Sequence, residues 1–582
     1  MIASVGRERD IRRRVTPASS LNQLPADLHP VLRRVYAARR VSAEQLHPSL
    51  AALIPIGDLV GSAAAAARLV DAHQRGERVL VLGDFDADGA TGTALCVTCL
   101  RALGFGDVAY LVPNRIELGY GLSPAIADQA AALHPDLIIT VDNGVSSAPG
   151  IRRAAGHGID VIVTDHHLPG AELPAATCIV NPNLPGETFA SKCLAGVGVA
   201  FYVMAALARL LGDKGLVDAR AARTAVADTL DLVALGTVAD LVPLDFNNRV
   251  VVAEGLARIR AGRTRPGVRA LFEVAGRSMC DARAGDLGFA IAPRLNAAGR
   301  LTDMKMGIDC LLATEDADAR ALAARLDALN VERRALQARM EVEAGHHVQA
   351  VRGQIVTGNA DAYCLFDGGW HEGVVGLVAS RIKDQMRRPV VAFASADEPG
   401  MLKGSARSVE GVHIRDVIDA VATGHRDLVP KFGGHAMAAG LSLREVDLPR
   451  FRDAFAAEVG RFSDVLAEPD VIWTDGPLNA EETGLELAEV LRQAGPWGQG
   501  FPEPIFENRL EIVDQRLLKE RHLKLRVRHP GDSRTLDAIA FNRSELPEHG
   551  SGASLRVVYR LDVNEFRSRR TGQLVVEHLQ SD

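Results

Sequence analysis

The segment Val79-Leu80-Val81-Leu82-Gly83-Asp84-Phe85-Asp86-Ala87-Asp88-Gly89 opens on four consecutive apolar residues and closes on three aspartates at alternate positions. A short apolar run rich in Val and Leu and ended by a glycine is the pattern of a strand covered on both faces, as in a parallel sheet. The aspartates follow on a turn, where three carboxylates repel one another unless a cation holds them. An EF-hand loop also alternates its aspartates, but it needs an acidic ligand at its twelfth position. Counted from Asp84 that position is Leu95, which disfavours calcium of that kind.

Two further apolar runs end in the same way. Leu137–Val141 leads into Asp142-Asn143-Gly144, and Val161–Val163 into Thr164-Asp165-His166-His167. A fourth motif, Gly236-Thr237-Val238-Ala239-Asp240, follows an apolar helical stretch. Strands alternating with helices over about 75–245 predict a mostly parallel α/β sheet. The strand C-termini of such a sheet share one edge, where ligands bind. The motifs are therefore expected to converge, with Asp240 the natural fourth contributor. Aspartate oxygens and imidazole nitrogens suit Mn²⁺ or Mg²⁺ better than a thiolate-seeking metal. This many carboxylates suffices for two ions, and two metals about 4 Å apart are the usual device for in-line attack at phosphorus. Each motif alone has an ordinary explanation, an Asp-Gly turn after a strand or a histidine pair filling space. All of them on one edge do not.

The chain has 582 residues, 47% hydrophobic and 24% charged, with a formal net charge of −7. That length predicts several domains, and that composition excludes global disorder. The acidic balance argues against coating nucleic acid by bulk charge but leaves room for a local basic groove. The basic start, Met1 to Arg14, has no apolar stretch behind it, so no signal peptide is expected. The longest apolar stretch, Cys193–Ala208, is too short to span a bilayer and reads as a buried helix. The 7 scattered cysteines fit a reducing cytoplasm. Cys96 and Cys99, a lone CxxC in an apolar helical pattern, read as core thiols. Gly196-Val197-Gly198-Val199-Ala200-Phe201 starts like a dinucleotide fingerprint but lacks its third glycine and does not clearly follow a strand, so it is set aside.

Five regions are expected. Residues 1–45 form a partly helical, arginine-rich arm, and 46–305 the main α/β domain. A connecting helix occupies 306–353; its pattern is clearest over 314–349, with Thr314 as cap and Leu322, Leu326, Leu329, Leu336 and Met340 at helical spacing. A smaller α/β domain spans 354–465. Short alternating strands such as Leu523–Arg528 and Leu555–Val563 make 466–582 a small β-barrel. There Lys524, Arg526 and Arg528 alternate with Leu523, Leu525 and Val527, near Arg516, Lys519 and Arg521, which gives one basic face.

The four motifs resemble the DHH phosphoesterase superfamily, named for the triplet seen here as Asp165-His166-His167. Within it, nearly the whole chain is similar to bacterial single-strand-specific 5′→3′ exonucleases. The stretches that carry the resemblance are GDFDADGATG at 83–92, PNRIELGYGL at 113–122, TVDNG at 140–144, TDHH at 164–167, LGTVADLVPL at 235–244 and PRLNAAGRL at 293–301. GVVGLVASRI at 373–382, GSARS at 404–408 and KFGGHAMAAG at 431–440 look like a DHHA1 domain. Phe85 stands where tyrosine is frequent in the family, and Asp367–Glu372 carries fewer basic groups than relatives often do.

The resemblance implies a parallel-sheet DHH domain, a long connecting helix, a DHHA1-like substrate-binding domain and an OB-like nucleic-acid-binding barrel. It implies a divalent-metal centre with Asp86, Asp88, Asp142, His166 and Asp240 as ligands. Asp84 is then either a ligand or one contact behind, His167 touches metal or the scissile phosphate, and Asp165 orients a histidine. Arg115 and Tyr120 would meet the first nucleotides. Ser405 and Arg407, placed in glycine-rich turns, would hold a 5′-terminal phosphate, and His435 would contact a phosphate near the scissile bond. Arg294 and Arg300 would contact the backbone.

The implied activity is degradation of single-stranded DNA 5′→3′ to 5′-mononucleotides with two Mn²⁺ or Mg²⁺ ions, the strand threading between the first two folded units. Implied too are a cytoplasmic monomer away from membranes, a role in DNA recombination and repair, and partnership with single-strand-binding protein and a RecQ-type helicase. The alternatives are an oligoribonuclease, pyrophosphatase or cyclic-dinucleotide phosphodiesterase of the same superfamily, or a non-catalytic single-strand-binding scaffold.

Overall fold

The computed structural model describes residues 9–113, 121–170, 172–354, 361–468, 470–543, 552–566 and 569–581. The chain forms two compact units. Among the described residues, one comprises Ile11–Gly299, Asp303–Leu326 and Ile472 onward; the other comprises Arg300–Thr302 and Asp327–Val471 together with Arg9 and Asp10.

The first unit is built on a five-stranded parallel sheet of β1 (Val79–Leu82), β2 (Val108–Leu111), β3 (Leu137–Val141), β4 (Asp160–Thr164) and β5 (Cys178–Val180), in the order β2-β1-β3-β4-β5. β1 and β3 run over the residues expected, and β4 is one residue longer at each end. Every residue of β1 and β3 is buried, as helices on both faces of a parallel sheet require. The chain leaves β1 toward β2 on one side and then returns to β3 on the other, so the order reverses between β1 and β3. A crevice opens outside the strand C-termini at such a switch point.

Helix α1 (Ala87–Ala102) follows β1 and is buried along most of its length. Its Cys96 and Cys99 are fully buried, and burial pushes both thiols upward from their usual pKa. Helix α2 (Gly196–Asp213) covers the stretch read as a buried helix; it has the length and apolarity of a membrane span, but 72% of it is buried inside the protein. Helix α3 (Leu230–Ala239) packs against α1 and α2 and ends at Asp240.

The C-terminal strands β11 (Phe506–Leu518), β12 (His522–Arg528), β13 (Leu536–Ala540), β14 (Ser554–Phe566) and β15 (Arg569–Ser581) close into a barrel in the order β11-β12-β13-β15-β14. This barrel belongs to the same compact unit as the parallel sheet, and so does the arm from Ile11 onward. Arg39 explains part of that union. Its guanidinium forms a two-pronged pair with Asp475, at 2.7 and 3.1 Å, and also donates to Pro502 O. Such planar bidentate pairing is the strong form of an ion pair.

In the second unit, β6 (Tyr363–Phe366), β7 (Val390–Ser395), β8 (Met401–Arg407), β9 (Lys431–Gly434) and β10 (Ala438–Arg444) form a sheet in the order β9-β10-β8-β7-β6, with only β6 and β7 parallel. Separate cores gather around Phe393, Phe451 and Phe455, and around Tyr363, Trp370 and Val378.

The expected connecting helix is α5 (Asp316–Gln354), 39 residues and thus about 58 Å long. It starts at Asp316, ten residues after the expected boundary at 306, because Lys305–Leu312 is a helix of its own. Its buried line is Ala319, Ala323, Leu326 and Asn330, then Met340, Ala344 and Val348. Leu322, Leu329 and Leu336 are only partly buried. They lie beside the buried line, whose members step by three or four residues as a 3.6-residue turn requires.

Candidate metal centre

The loops after β1 and β3 meet at the switch point. Asp86 is the N-cap of α1, its carboxylate accepting from Asp88 N at 2.9 Å and Gly89 N at 3.0 Å. Asp88, 1% exposed, turns inward, where Gly196 N and Val197 N donate to its two oxygens at 2.6 and 2.9 Å. The stretch set aside as a failed dinucleotide fingerprint is therefore a helix N-terminus cradling an aspartate, a favourable place for negative charge. Gly196 also lets Asp142 approach. A Cβ there would lie 2.5 Å from Asp142 Cβ and 2.7 Å from its Oδ1. At Gly236 a Cβ would lie 2.8 Å from Asp88 Oδ1.

Asp142 has a left-handed backbone, φ 62°, uncommon for a residue with a Cβ. The turn is held by its neighbours: Asn143 Nδ2 donates to Leu82 O and Val141 O, and Thr140 Oγ1 to Asn143 O. Strain of this kind collects at functional sites. Buried Asp165 is a hub. It accepts from Val145 N, His166 N and His167 N, and its Oδ1 lies 2.8 Å from His167 Nδ1. Asn183 and Asn181 donate to the carbonyls of His166 and His167. His166 Nε2 is 3.1 Å from Asp142 Oδ1 and 3.6 Å from Asp240 Oδ2. Three overlapping groups have ligand atoms within 4.8 Å of one another: Asp142/His166/His167, Asp88/His166/Asp240 and Asp84/Asp86/Asp142. All seven expected members of the centre thus converge.

The electrostatics follow from burying like charges. Burial, then Asp86, pushes the Asp88 carboxyl up to about 7 despite its two backbone donors. Burial and the surrounding aspartates hold Asp142 and Asp240 well above the usual carboxylate range. Burial opposes charge on His167, but its hydrogen bond to Asp165 prevails and raises it to about 9. Burial likewise works against ionised Asp165, yet His167 keeps its carboxyl low. A carboxylate crowd held ionised at neutral pH calls for cations. The oxygen and imidazole donors, with no thiolate among the three groups, suit Mn²⁺ or Mg²⁺.

The other expected residues are distributed as follows. Arg115 and Tyr120 lie outside the described residues. Arg294, on α4 (Ala292–Leu301), is 8% exposed and donates to Ala290 O at 2.6 Å, so it braces the backbone before its own helix. Arg300 Nη1 donates to Gly373 O at 3.2 Å. Ser405 and Arg407 sit on strand β8 rather than in a turn, because the alternating apolar residues Leu402, Gly404 and Ala406 face the core. Arg407 Nη1 donates to Ser405 Oγ at 2.9 Å, and a Cβ at Gly376 would come within 2.9 Å of both groups. His435 is exposed in the turn between β9 and β10, its N–H donating to Ala438 O; this turn neighbours the end of β8, where Ser408 N donates to Met437 O.

Sequence reading missed the residues that hold the centre rather than form it: Gly196, Val197, Asn143, Asn181, Asn183, Gly236 and Asn296, whose Oδ1 accepts from Ala87 N at 2.8 Å. Asn143, Gly236 and Asn296 carried a signal, lying inside TVDNG, LGTVADLVPL and PRLNAAGRL.

Three family descriptions match in order: the DHH family N-terminal domain over 78–237, the DHHA1 domain over 358–461 and the RecJ OB domain over 474–578. The chain is 50% identical over 577 residues to the single-stranded-DNA-specific exonuclease RecJ of Salmonella typhimurium, covering 98% of this chain and 99% of that protein. The chain belongs to the RecJ family. The Escherichia coli RecJ is 49% identical over 563 residues, 96% of each chain. The crystal structure of Thermus thermophilus RecJ in complex with Mn²⁺ superposes with a TM-score of 0.81 at 31% identity, covering 99% of this chain and 80% of that one. A second structure of that RecJ contains Mg²⁺. As a RecJ, the chain is a metal-dependent exonuclease of single-stranded DNA, and its donor set accommodates the same two ions.

Proposed function

We propose that this RecJ digests single-stranded DNA from the 5′ end, releasing 5′-mononucleotides, and serves recombination and repair as a cytoplasmic monomer, beside single-strand-binding protein and a RecQ-type helicase. The observation that carries the catalytic reading is the convergence of Asp84, Asp86, Asp88, Asp142, His166, His167 and Asp240 at one sheet edge. Asp86, Asp88, Asp142, His166 and Asp240 would hold two divalent cations, with Asp84 beside them. When bound, the cations supply a more acidic water and neutralise charge developing at phosphorus.

The protein's own groups set the stage for that step. The Gly196 and Val197 amides fix the Asp88 carboxylate, and the rigid turn around Asp142 fixes its direction. Asp165 orients the His167 ring through its bond at Nδ1, presenting the other ring nitrogen toward the scissile phosphate; removing such partners typically costs 10- to 100-fold. Ser405 and Arg407 receive the 5′-terminal phosphate, for which a guanidinium fork is matched, and His435 contacts a neighbouring phosphate. Arg115 and Tyr120 guide the first nucleotides. The OB barrel, with Arg526 on its outer face, tracks the strand behind.

The test incubates the protein and Mn²⁺ with 5′-labelled, 3′-labelled and blunt duplex oligonucleotides. Labelled mononucleotide appearing first from the 5′-labelled single strand is the expected result, with loss of cleavage in Asp142→Ala. Release from the 3′ end, or equal digestion of duplex, refutes the polarity or the strand preference.

A further inference from the structure

We propose that Phe289 is a base-stacking platform on the rim of the metal centre, gripping a nucleobase of the single strand close to the scissile phosphate; the proposal rests on the reading of that centre as the site of hydrolysis.

Helix α4 is docked directly on the aspartate loop. Asn296 Oδ1 accepts from Ala87 N at 2.8 Å, and a Cβ at Gly299 would lie 1.8 Å from Phe85 O, so only glycine allows the approach. The turn that leads into α4, Leu287–Ile291, is π-helical. It rests on the other side of the centre as well: a Cβ at Gly288 would lie 3.1 Å from Val238 Cγ1, two residues before Asp240. Phe289 is seven residues from Asn296 along this path, about 10 Å at helical rise.

A π-turn inserts one extra residue and re-aims the side chains around it, and such turns collect at functional sites. Here Leu287, Ala290 and Ile291 are buried while Phe289 is 80% exposed. The turn is held in that form by Arg294, whose Nη1 takes the Ala290 carbonyl at 2.6 Å. Beside Asp240, Leu241 has a left-handed backbone, φ 59°, and is 65% exposed. Two large exposed apolar side chains thus sit on locally unusual backbone in segments that adjoin the metal-binding motifs: Leu241 directly after Asp240, and Phe289 next to Gly288, whose added Cβ would meet Val238. A lone exposed apolar residue is ordinary, but these two lie on segments packed together, the π-turn resting on the helix that ends at Asp240.

The occupant follows from size and charge. One ring and one leucine are far too small for a protein interface and match a single base. A rim around at least five carboxylates repels phosphate wherever the cations do not reach. Contact through a base, whose π-face carries no charge, is the contact such a rim offers a single strand.

The test compares the full-length protein with Phe289→Ala and Phe289→Trp on normal oligonucleotides and on the same oligonucleotides with internal abasic sites. Stacking is worth about 5- to 150-fold in affinity per base. Phe289→Ala is expected to raise KM for normal DNA within that range while kcat changes much less, and to leave KM for abasic DNA near the wild-type value. Phe289→Trp is expected to restore KM and, in the cleavage-deficient Asp142→Ala background with Mn²⁺, to show indole quenching on addition of single-stranded DNA beyond that of the protein's own three tryptophans. An unchanged KM in Phe289→Ala, an equal loss on abasic DNA, or no added quenching with Trp overturns the proposal. Failure of the hydrolytic reading itself would look different: wild-type protein would then be inactive with Mn²⁺ on every substrate.

Discussion

Gly196→Ala probes whether backbone alone governs the metal centre. The added Cβ would sit 2.5 Å from Asp142 Cβ, and ordinary contact begins at 3.4 Å, so Asp142 or the start of α2 must move by about 0.9 Å. Neither has an easy way out. Asp142 is held by a left-handed turn with buried side-chain bonds, and Gly196 N is bonded to Asp88 Oδ2 at 2.6 Å. A misplacement near 1 Å costs on the order of 10²-fold in rate, which is about 2.7 kcal/mol at 1.36 kcal/mol per decade. Lengthening the Gly196 bond would weaken a charged hydrogen bond worth about 1.5–3 kcal/mol. We expect kcat to fall on the order of 10²-fold and the Mn²⁺ concentration for half-maximal activity to rise. Melting should stay cooperative, because the rest of α2 keeps its packing. The assay is steady-state hydrolysis of a 5′-labelled oligonucleotide across a Mn²⁺ titration. A variant within three-fold of wild type in both quantities would refute the claim that this glycine sets the carboxylate geometry.

Three other outcomes are expected. Burial alone would raise Asp231, but Arg265 and Thr264 hold its carboxyl low, so Asp231→Ala, which strands the partly buried Arg265, should destabilise the first unit by about 3–5 kcal/mol. Because the folded-state pKa is depressed, the melting-temperature gap to wild type should be complete near pH 7 and shrink as pH falls below about 4. In EDTA the raised Asp88, Asp142 and Asp240 favour the folded protein only while protonated. Metal-free protein should therefore lose melting temperature as pH rises from about 4 toward about 7, and Mn²⁺ should restore both stability and cleavage, with the larger thermal shift at pH 8 than at pH 5. On the barrel, Lys524 and Arg528 are paired with Asp537 and Glu511, whereas exposed Arg526, among the described residues, donates to the Thr535 hydroxyl. Arg526→Ala should lower the slope of log affinity against log salt by about 0.7, the value of one single-strand phosphate contact, and a slope unchanged in fluorescence titrations would exclude it from the DNA track.

Much of this protein was legible in order along the chain. The runs Val79–Leu82 and Leu137–Val141 are strands over just those residues, because a strand buried on both faces must be continuously apolar. The acidic and histidine groups after them are chemistry-bearing side chains, so their types alone announced a metal centre, and a shared sheet edge predicted their meeting. Local sequence therefore determined which side chains do the chemistry.

Tertiary structure alone decided how they are held. The amides of Gly196 and Val197 reach Asp88 across more than 100 residues of chain, and a backbone N–H is the same in every sequence. Arg294 reads from sequence only as a cation suited to phosphate; its 8% exposure and its bond to the Ala290 carbonyl appear only in the fold. Of the five helix positions read as one stripe, Leu326 and Met340 are buried, whereas Leu322, Leu329 and Leu336 are only partly so. The barrel and the parallel sheet, separable as sequence patterns, fold into one unit through contacts such as Arg39 with Asp475. Asp88 with Gly196 and Arg39 with Asp475 are partners more than 100 residues apart, and only packing brings such groups within hydrogen-bond reach.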